Sequence, residues 1–227
     1  MMDRIKKTIF FTVIVASCCT FSKHFILLAR PGSGKGTFSN YMSKKYGYIH
    51  LGLGDLYRER HDNHLPVTSK ILTKILEKRV LLAAKNNQKI ILDNVISCWD
   101  DWKHWKAFFK KHNLIDQIVF ISLEATDITC MNRMKERVIC RKCFNVYKQS
   151  SDKTLQEHTC LECGNKLSIR SRDRVDHFVQ KRFAYYHQKT EPLIFDLKES
   201  GMYKVIKIST ETELDKLYTL YDKLSKL

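Results

Sequence analysis

The sequence predicts an α/β fold, a parallel β-sheet flanked by helices. Three observations carry the prediction. Short continuous apolar runs, the pattern of strands buried on both faces, alternate with longer segments of helical period. The first run, Phe25-Ile26-Leu27-Leu28, feeds a glycine-rich turn, Arg30-Pro31-Gly32-Ser33-Gly34-Lys35-Gly36-Thr37, that opens a helix. Residues 138–168 interrupt the alternation. They hold four spaced cysteines and little apolar mass, as an inserted lobe would.

The elements follow in order. Phe25 to Leu28 is the first strand, and Thr37 to Tyr46 the helix behind the turn, closed by Gly47. Tyr48 to Leu51 is a second strand. Residues 67–86 read as a helix, with Val67, Ile71, Ile75, Val80 and Leu82 near a helical period. Lys89 to Asp93 is a strand ending in an acid. Trp99 to His112 is an amphipathic helix, whose Trp99, Trp102 and Trp105 are expected to pack it on the sheet rather than to stack a base. Gln117 to Leu123 is a strand and residues 175–197 a helix. Lys204 to Ile208 is the last strand before a terminal helix.

A chain of 227 residues can bury one proper core and carry an inserted subdomain. Three prolines and eight glycines leave little room for linkers, and no repeat is visible. Forty Lys and Arg against 24 Asp and Glu give a net charge of +16. Such an excess suits nucleic acid, an anionic membrane, small polyanions or a generally basic surface. The basic residues are dispersed and no nucleic-acid-binding pattern occurs, so no nucleic-acid partner is expected.

Residues 1–22 raise a targeting question. Arg4, Lys6 and Lys7 precede an apolar run from Ile9 to Cys19, and Val15-Ala16-Ser17-Cys18 resembles a lipoprotein cleavage box. The run is short of the ~20 residues of a spanning helix. A signal or anchor segment and an extra strand or misassigned start remain alternative readings.

The glycine turn has the composition of a phosphate cradle. Gly32, Gly34 and Gly36 let backbone N–H groups approach phosphate oxygens, and the helix N-terminus adds positive potential. Lys35 reaches terminal phosphates, and the Thr37 hydroxyl holds phosphate or the magnesium shell. Asp93, at a strand tip, suits an acid that orients magnesium through water. Cys140-x2-Cys143 and Cys160-x2-Cys163, sixteen residues apart, have the spacing of a structural zinc site of four thiolates. A lobe of ~40 residues cannot fold on its own apolar burial, so a metal would supply the missing free energy. Two disulfides are the rival reading. His158 is expected to be a surface residue rather than a ligand.

The chain resembles the adenylate kinases of the zinc-bearing type, within the nucleoside monophosphate kinases. The resemblance runs from about Phe25 to the C-terminus. It rests on the Arg30–Thr37 loop, Gly54-Asp55-Leu56-Tyr57-Arg58, Ile91-Leu92-Asp93 and Arg133-x3-Arg137. The four cysteines, Leu167-x2-Arg170, Lys181-Arg182 and Thr190-Glu191-Pro192-Leu193-Ile194 continue it. It implies a P-loop NTPase-type core, residues 23–132 and 174–227, with a zinc-binding lid at 133–173 and a nucleoside-monophosphate flap at 52–70. It further implies that Gly32, Ser33, Gly34, Lys35, Gly36, Thr37, Arg133 and Arg137 hold ATP, and that Asp55, Arg58, Arg170 and Arg182 serve the acceptor. Lys35, Arg137, Arg170 and Arg182 would act on the moving phosphoryl group, with Mg2+ carried by ATP and structural Zn2+ in the lid. A monomer is expected.

The acceptor side departs from the family pattern. The family follows its Leu-Asp with Gly-Phe-Pro-Arg, whereas here Asp93 is followed by Asn94-Val95-Ile96-Ser97. Ser97 therefore stands in place of an arginine that would grip the acceptor phosphate, and a hydroxyl cannot make a bidentate charge-assisted contact. About a dozen flap residues are missing after Arg58, given the usual boundary error. Ala29 replaces the loop's first glycine, Phe38 a glutamine, and Arg172 an acid. Two functions compete: a kinase transferring the γ-phosphoryl of ATP to a nucleoside monophosphate, AMP by default, and an ATP-binding protein or slow ATPase without such an acceptor. Reduced thiolates and ATP use favour the cytoplasm, while the N-terminal segment leaves export or membrane anchoring open.

Overall fold

A computed structural model describes residues 23–143, 145–149 and 159–227, so the N-terminal segment and His158 lie outside the described residues. Among these residues no helix is long and apolar enough to cross a membrane. Five parallel strands form the central sheet: β1 (His24–Ala29), β2 (Ile49–Gly52), β3 (Ile90–Asp93), β4 (Ile118–Glu124) and the last strand, Lys204–Ser209. Their order is β2-β3-β1-β4 and then that last strand. All these strands pair in parallel, so each connection crosses over through a helix.

Side chains alternate across the sheet and so build two cores. Phe25, Leu27, Ile91, Val119 and Ile121 face α1 (Lys35–Tyr46) and the terminal helix Leu214–Leu224. Ile26, Leu28, Leu92 and Phe120 face α3 (Ser69–Lys85), α4 (Trp99–Lys111) and the helix Glu191–Glu199. Phe38 belongs to the first core, fully buried with its ring edge-on to Tyr221 at 4.7 Å. A glutamine there would lose this packing.

Local signals behave as their chemistry dictates. Gly47 closes α1 in the left-handed conformation, its N–H reaching the carbonyls of Met42 and Ser43. Thr68 caps α3, accepting from the Ile71 N–H. Two short helices carry no strong sequence pattern: α2 (Leu53–Asp62) and α5 (Asp127–Lys135). The helix expected over 175–197 is α6 (Asp176–Tyr185), a wider turn of π type at Tyr186–Thr190, and then α7 (Glu191–Glu199). The terminal helix is α8. Of the three tryptophans, Trp102 and Trp105 are buried, while Trp99 is 42% exposed and donates its indole N–H to Asp196 at 3.1 Å. Each three-residue step turns by about 300°, about 60° short of a full turn, so two steps set Trp99 about 120° from Trp105 and out of the buried stripe.

The cysteine-bearing segment forms its own antiparallel sheet from β5 (Arg137–Cys140), β6 (Val146–Lys148) and β7 (Leu167–Ile169), in the order β6-β5-β7. The last strand of the main sheet is thus β8. Val138, Cys140, Cys160 and Leu167 make a core of the lobe's own.

His24, at the start of β1, is 4% exposed, and burial pushes its pKa down to about 4 from 6.5. Among the described residues neither ring nitrogen has a partner. The native ring is neutral, and the unfolded ring takes up a proton below its ordinary pKa. Stability is therefore complete above pH 6.5 and declines as pH falls toward 4, by up to about 3 kcal/mol. His24→Leu should flatten that decline in urea titrations between pH 7 and 4; an unchanged slope would show that another group carries it.

Candidate functional site

A cavity of about 1200 Å³ opens where the carboxyl ends of the parallel strands meet the cysteine lobe. Ligands of open α/β sheets sit in this crevice, where strand connections diverge to opposite sides. Register places Leu27 beside Asp93 and Asp93 beside Gly52, so the tips of β1, β3 and β2 face one space.

One end of the cavity is the glycine turn between β1 and α1. Gly32 has φ +83, and a Cβ there would strike the Cys130 carbonyl on α5, so both backbone conformation and space demand glycine. Lys35 donates its amine to the carbonyls of Ala29 and Arg30, each at 2.8 Å. Burial lowers its pKa to about 8, the Asp93 charge opposing this and the Arg182 and Arg137 charges adding to it. Ser33 is fully buried and is not among the residues that line the cavity. The turn is tied down from behind. Arg30 donates to the Ala125 carbonyl at 3.0 Å and pairs with Asp127 at 2.8 Å and Glu191 at 3.0 Å. His187 joins the same two carboxylates, each at 2.8 Å, and its pKa is raised by those hydrogen bonds.

Arginines line the middle of the cavity. Arg137 at the start of β5 and Arg182 on α6 share the carboxylate of Asp173, at 2.9 and 3.0 Å, and Asp173 is 2% exposed. Arg170, just past β7, has its pKa lowered to about 10, by burial first and then by Arg137 and Arg58 nearby. Arg182 is lowered by burial as well. Arg133 lies on α5, ahead of the lobe's sheet, and donates to the Thr210 hydroxyl at 3.0 Å and the Thr210 carbonyl at 2.6 Å.

The far end carries Asp55 and Arg58 on α2, joined to each other. His50 lies between Asp93 and Asp55, its ring nitrogens 3.5 and 3.8 Å from their carboxylates. Burial would depress the His50 pKa, but the nearby Asp93 carboxylate, with Asp55 behind it, outweighs that and raises it. Burial would raise that of Asp93, but His50 and Lys35 outweigh it and hold it low, so the acid is ionised. Asn94 adopts φ 56, the left-handed region that asparagine tolerates better than most residues. Ser97 is held by neighbouring elements: its N–H and hydroxyl donate to Asp101 of α4, at 2.9 and 2.8 Å, and its carbonyl accepts from the Thr190 hydroxyl at 2.7 Å. The Tyr185 hydroxyl stands 3.3 Å from the Ser97 hydroxyl.

In the lobe, the sulfurs of Cys140, Cys143, Cys160 and Cys163 all lie within 4.8 Å of one another. Four ligands about one zinc at ~2.3 Å would stand ~3.8 Å apart, so the donor set fits a tetrahedral ion rather than two separate bridges. Burial opposes ionisation of Cys160, but hydrogen bonds from Tyr147 and from backbone N–H groups outweigh it and bring its pKa to about 6. The lobe rests over the loop. A Cβ on Gly36 would meet Val146 at 3.7 Å, and Glu162 pairs with Lys44 of α1.

Gly32, Gly34, Lys35, Gly36, Thr37, Asp55, Arg58, Asp93, Arg133, Arg137, Arg170 and Arg182 thus line one cavity. Sequence reasoning did not single out His50, Asp173, Arg30 or Tyr185. Parallel register brings His50 to Asp93 across β2 and β3, and no spacing rule announces that meeting.

A phosphate-binding loop between the first strand and helix of a parallel sheet, with an ionised acid at the tip of a neighbouring strand, defines a P-loop nucleotide-binding protein. The model of one such family, described as an AAA domain, matches residues 28–142. The chain is also 28% identical over 195 residues to the adenylate kinase of Caldicellulosiruptor bescii, covering 78% of this chain and 87% of that one. It is 25% identical over 207 residues to that of Rickettsia africae, covering 84% and 95%. The chain belongs to this AAA-domain family of P-loop proteins, and its similarity to adenylate kinases runs over about four fifths of its length.

Crowded guanidinium groups repel until an anion joins them. Arg170→Ala should therefore raise the melting temperature of the ligand-free protein by about 2 °C, ~0.5–1 kcal/mol. It should also cut the stabilisation given by tripolyphosphate by more than half. Calorimetric melts with and without the anion read both signs.

Proposed function

We propose that the protein is a nucleoside monophosphate kinase that transfers the γ-phosphoryl group of ATP to an acceptor, AMP among them. One observation carries this reading. The phosphate loop lies at one end of a single cavity, Asp55 and Arg58 lie at the other, and Arg137, Arg170 and Arg182 stand between. Phosphoryl transfer requires two polyanions held in line and charge stabilisation on the group that moves. Lys35 and the loop N–H groups would hold the donor phosphates, with Arg133 and Arg137 beside them. Arg170 and Arg182 would bridge donor and acceptor. Asp93, through water, and the Thr37 hydroxyl would hold the Mg2+ that ATP brings, which neutralises charge between the phosphates. The lobe at 133–173 would act as a lid that excludes water, and residues 52–70 as a reduced acceptor flap. The four cysteines would hold structural zinc, and the protein would act as a monomer in a reducing compartment.

With ATP present, at least one of AMP, CMP, UMP and GMP should stimulate ADP formation tenfold or more over ATP alone in a coupled assay. Lys35→Met should lower kcat about 10²–10³-fold. The second reading, an ATPase without a monophosphate acceptor, draws on Ser97, whose hydroxyl is committed to Asp101. It gains if calorimetry finds ATP binding and none of the monophosphates binding.

Protein purified under reducing conditions should carry about one equivalent of zinc by elemental analysis. Cys143→Ser and Cys163→Ser should each lose the metal and lower the melting temperature. Less than half an equivalent, with oxidised cysteines, would reject the zinc site.

A further inference from the structure

Helix α6 shows two faces. Val179 and Phe183 pack inward on Cys130 and Met134. Phe178, Lys181, Arg182 and Tyr185 follow one another at i, i+3, i+4 and i+7, so they share a second face, and all four line the cavity. Two of them are aromatic and have no core to serve: Phe178 is 44% exposed and Tyr185 45%. Among the described residues no aromatic ring packs against Tyr185. Its hydroxyl meets Ser97, which locates the ring at the acceptor end of the cavity.

That end is poor in groups able to read the edge of a base. Of the side-chain amides among the described lining residues, Asn40 belongs to α1 and Asn145 to the lobe, which leaves Asn94. The Ser97 hydroxyl donates to Asp101. A six-residue connection, 63–68, joins α2 directly to α3, with no further helix to cover a base. Hydrogen-bonded base reading discriminates by large factors, whereas stacking on an aromatic face accepts every base.

We propose that the acceptor nucleobase is held by its face against the Tyr185 ring, which makes the protein a base-tolerant kinase of purine and pyrimidine nucleoside monophosphates. This rests on the kinase reading above. The Ser97 hydroxyl, itself fixed by Asp101, meets the phenol hydroxyl, and Lys181 and Arg182 on the same helix face attract the acceptor phosphate.

Initial rates with ATP and AMP, GMP, CMP or UMP test the inference, with ribose 5-phosphate as an acceptor lacking a base. The full chain should give kcat/KM values within about tenfold across the four nucleotides and at least a hundredfold lower for ribose 5-phosphate. Tyr185→Ala should raise KM for all four by about ten- to a hundredfold and leave KM for ATP unchanged. Tyr185→Phe, which keeps the ring, should stay near the parent, and its melting temperature controls for folding. A preference above a hundredfold for one base overturns the inference and leaves the kinase reading standing. So does an acceptor KM that Tyr185→Ala does not move. No turnover of any acceptor overturns both.

Discussion

The concentration of positive charge in one cavity is the constraint on which the rest of the structure depends. Lys35, Arg58, Arg137, Arg170 and Arg182 all line it, and burial and mutual repulsion lower the pKa of Lys35, Arg170 and Arg182. Such a cluster survives folding only where carboxylates hold it in place. Asp173 does so for Arg137 and Arg182, and Asp55 for Arg58. The ionised Asp93 faces Lys35. The anchors come from different parts of the chain: a sheet tip, the exit from the lobe, and the first helix after β2. The fold exists, in this sense, to bring those carboxylates to those cations while leaving room for phosphate.

The loop itself is stiffened by the same logic. Arg30 adds a further cation beside the glycine turn, which would be costly if it faced a phosphate or the other arginines. It turns away instead, onto Asp127, Glu191 and the face of Tyr186 at 4.8 Å. The π-type turn between α6 and α7 brings His187 to the same two carboxylates. Wide turns of this kind often mark functional positions, and here one joins the base of the phosphate loop to the helix carrying Arg182.

At the other end of the cavity, substitutions come as a set. Asn94 keeps a left-handed backbone that glycine would adopt without cost. Ser97 turns its N–H and hydroxyl to Asp101 and its carbonyl to Thr190, so the loop after β3 is held by α4 and by the π-type turn. Tyr185 then occupies the space beside Ser97. Arg58, Arg170 and Arg182, which the resemblance to the family leads one to expect, remain in the cavity lining.

By itself the sequence determined the alternation of strands and helices, the phosphate loop, the paired cysteines and most of the arginines. These are signals of local spacing. A buried strand is a continuous apolar run, a phosphate loop needs glycines within a single turn, and a zinc knuckle needs two cysteines two residues apart. The short helices α2 and α5 went unread because fewer than three turns leave too little periodic apolar pattern. The break at Tyr186–Thr190 escaped because it changes hydrogen bonding without changing composition. Only the tertiary structure decided that Trp99 faces solvent, that His50 stands between Asp93 and Asp55, and that one buried Asp173 holds two arginines. Those contacts join residues tens of positions apart, and their energy depends on burial and on the distance between charges. Neither is a property of the chain until the sheet has brought its strand tips together and the lobe has closed over them.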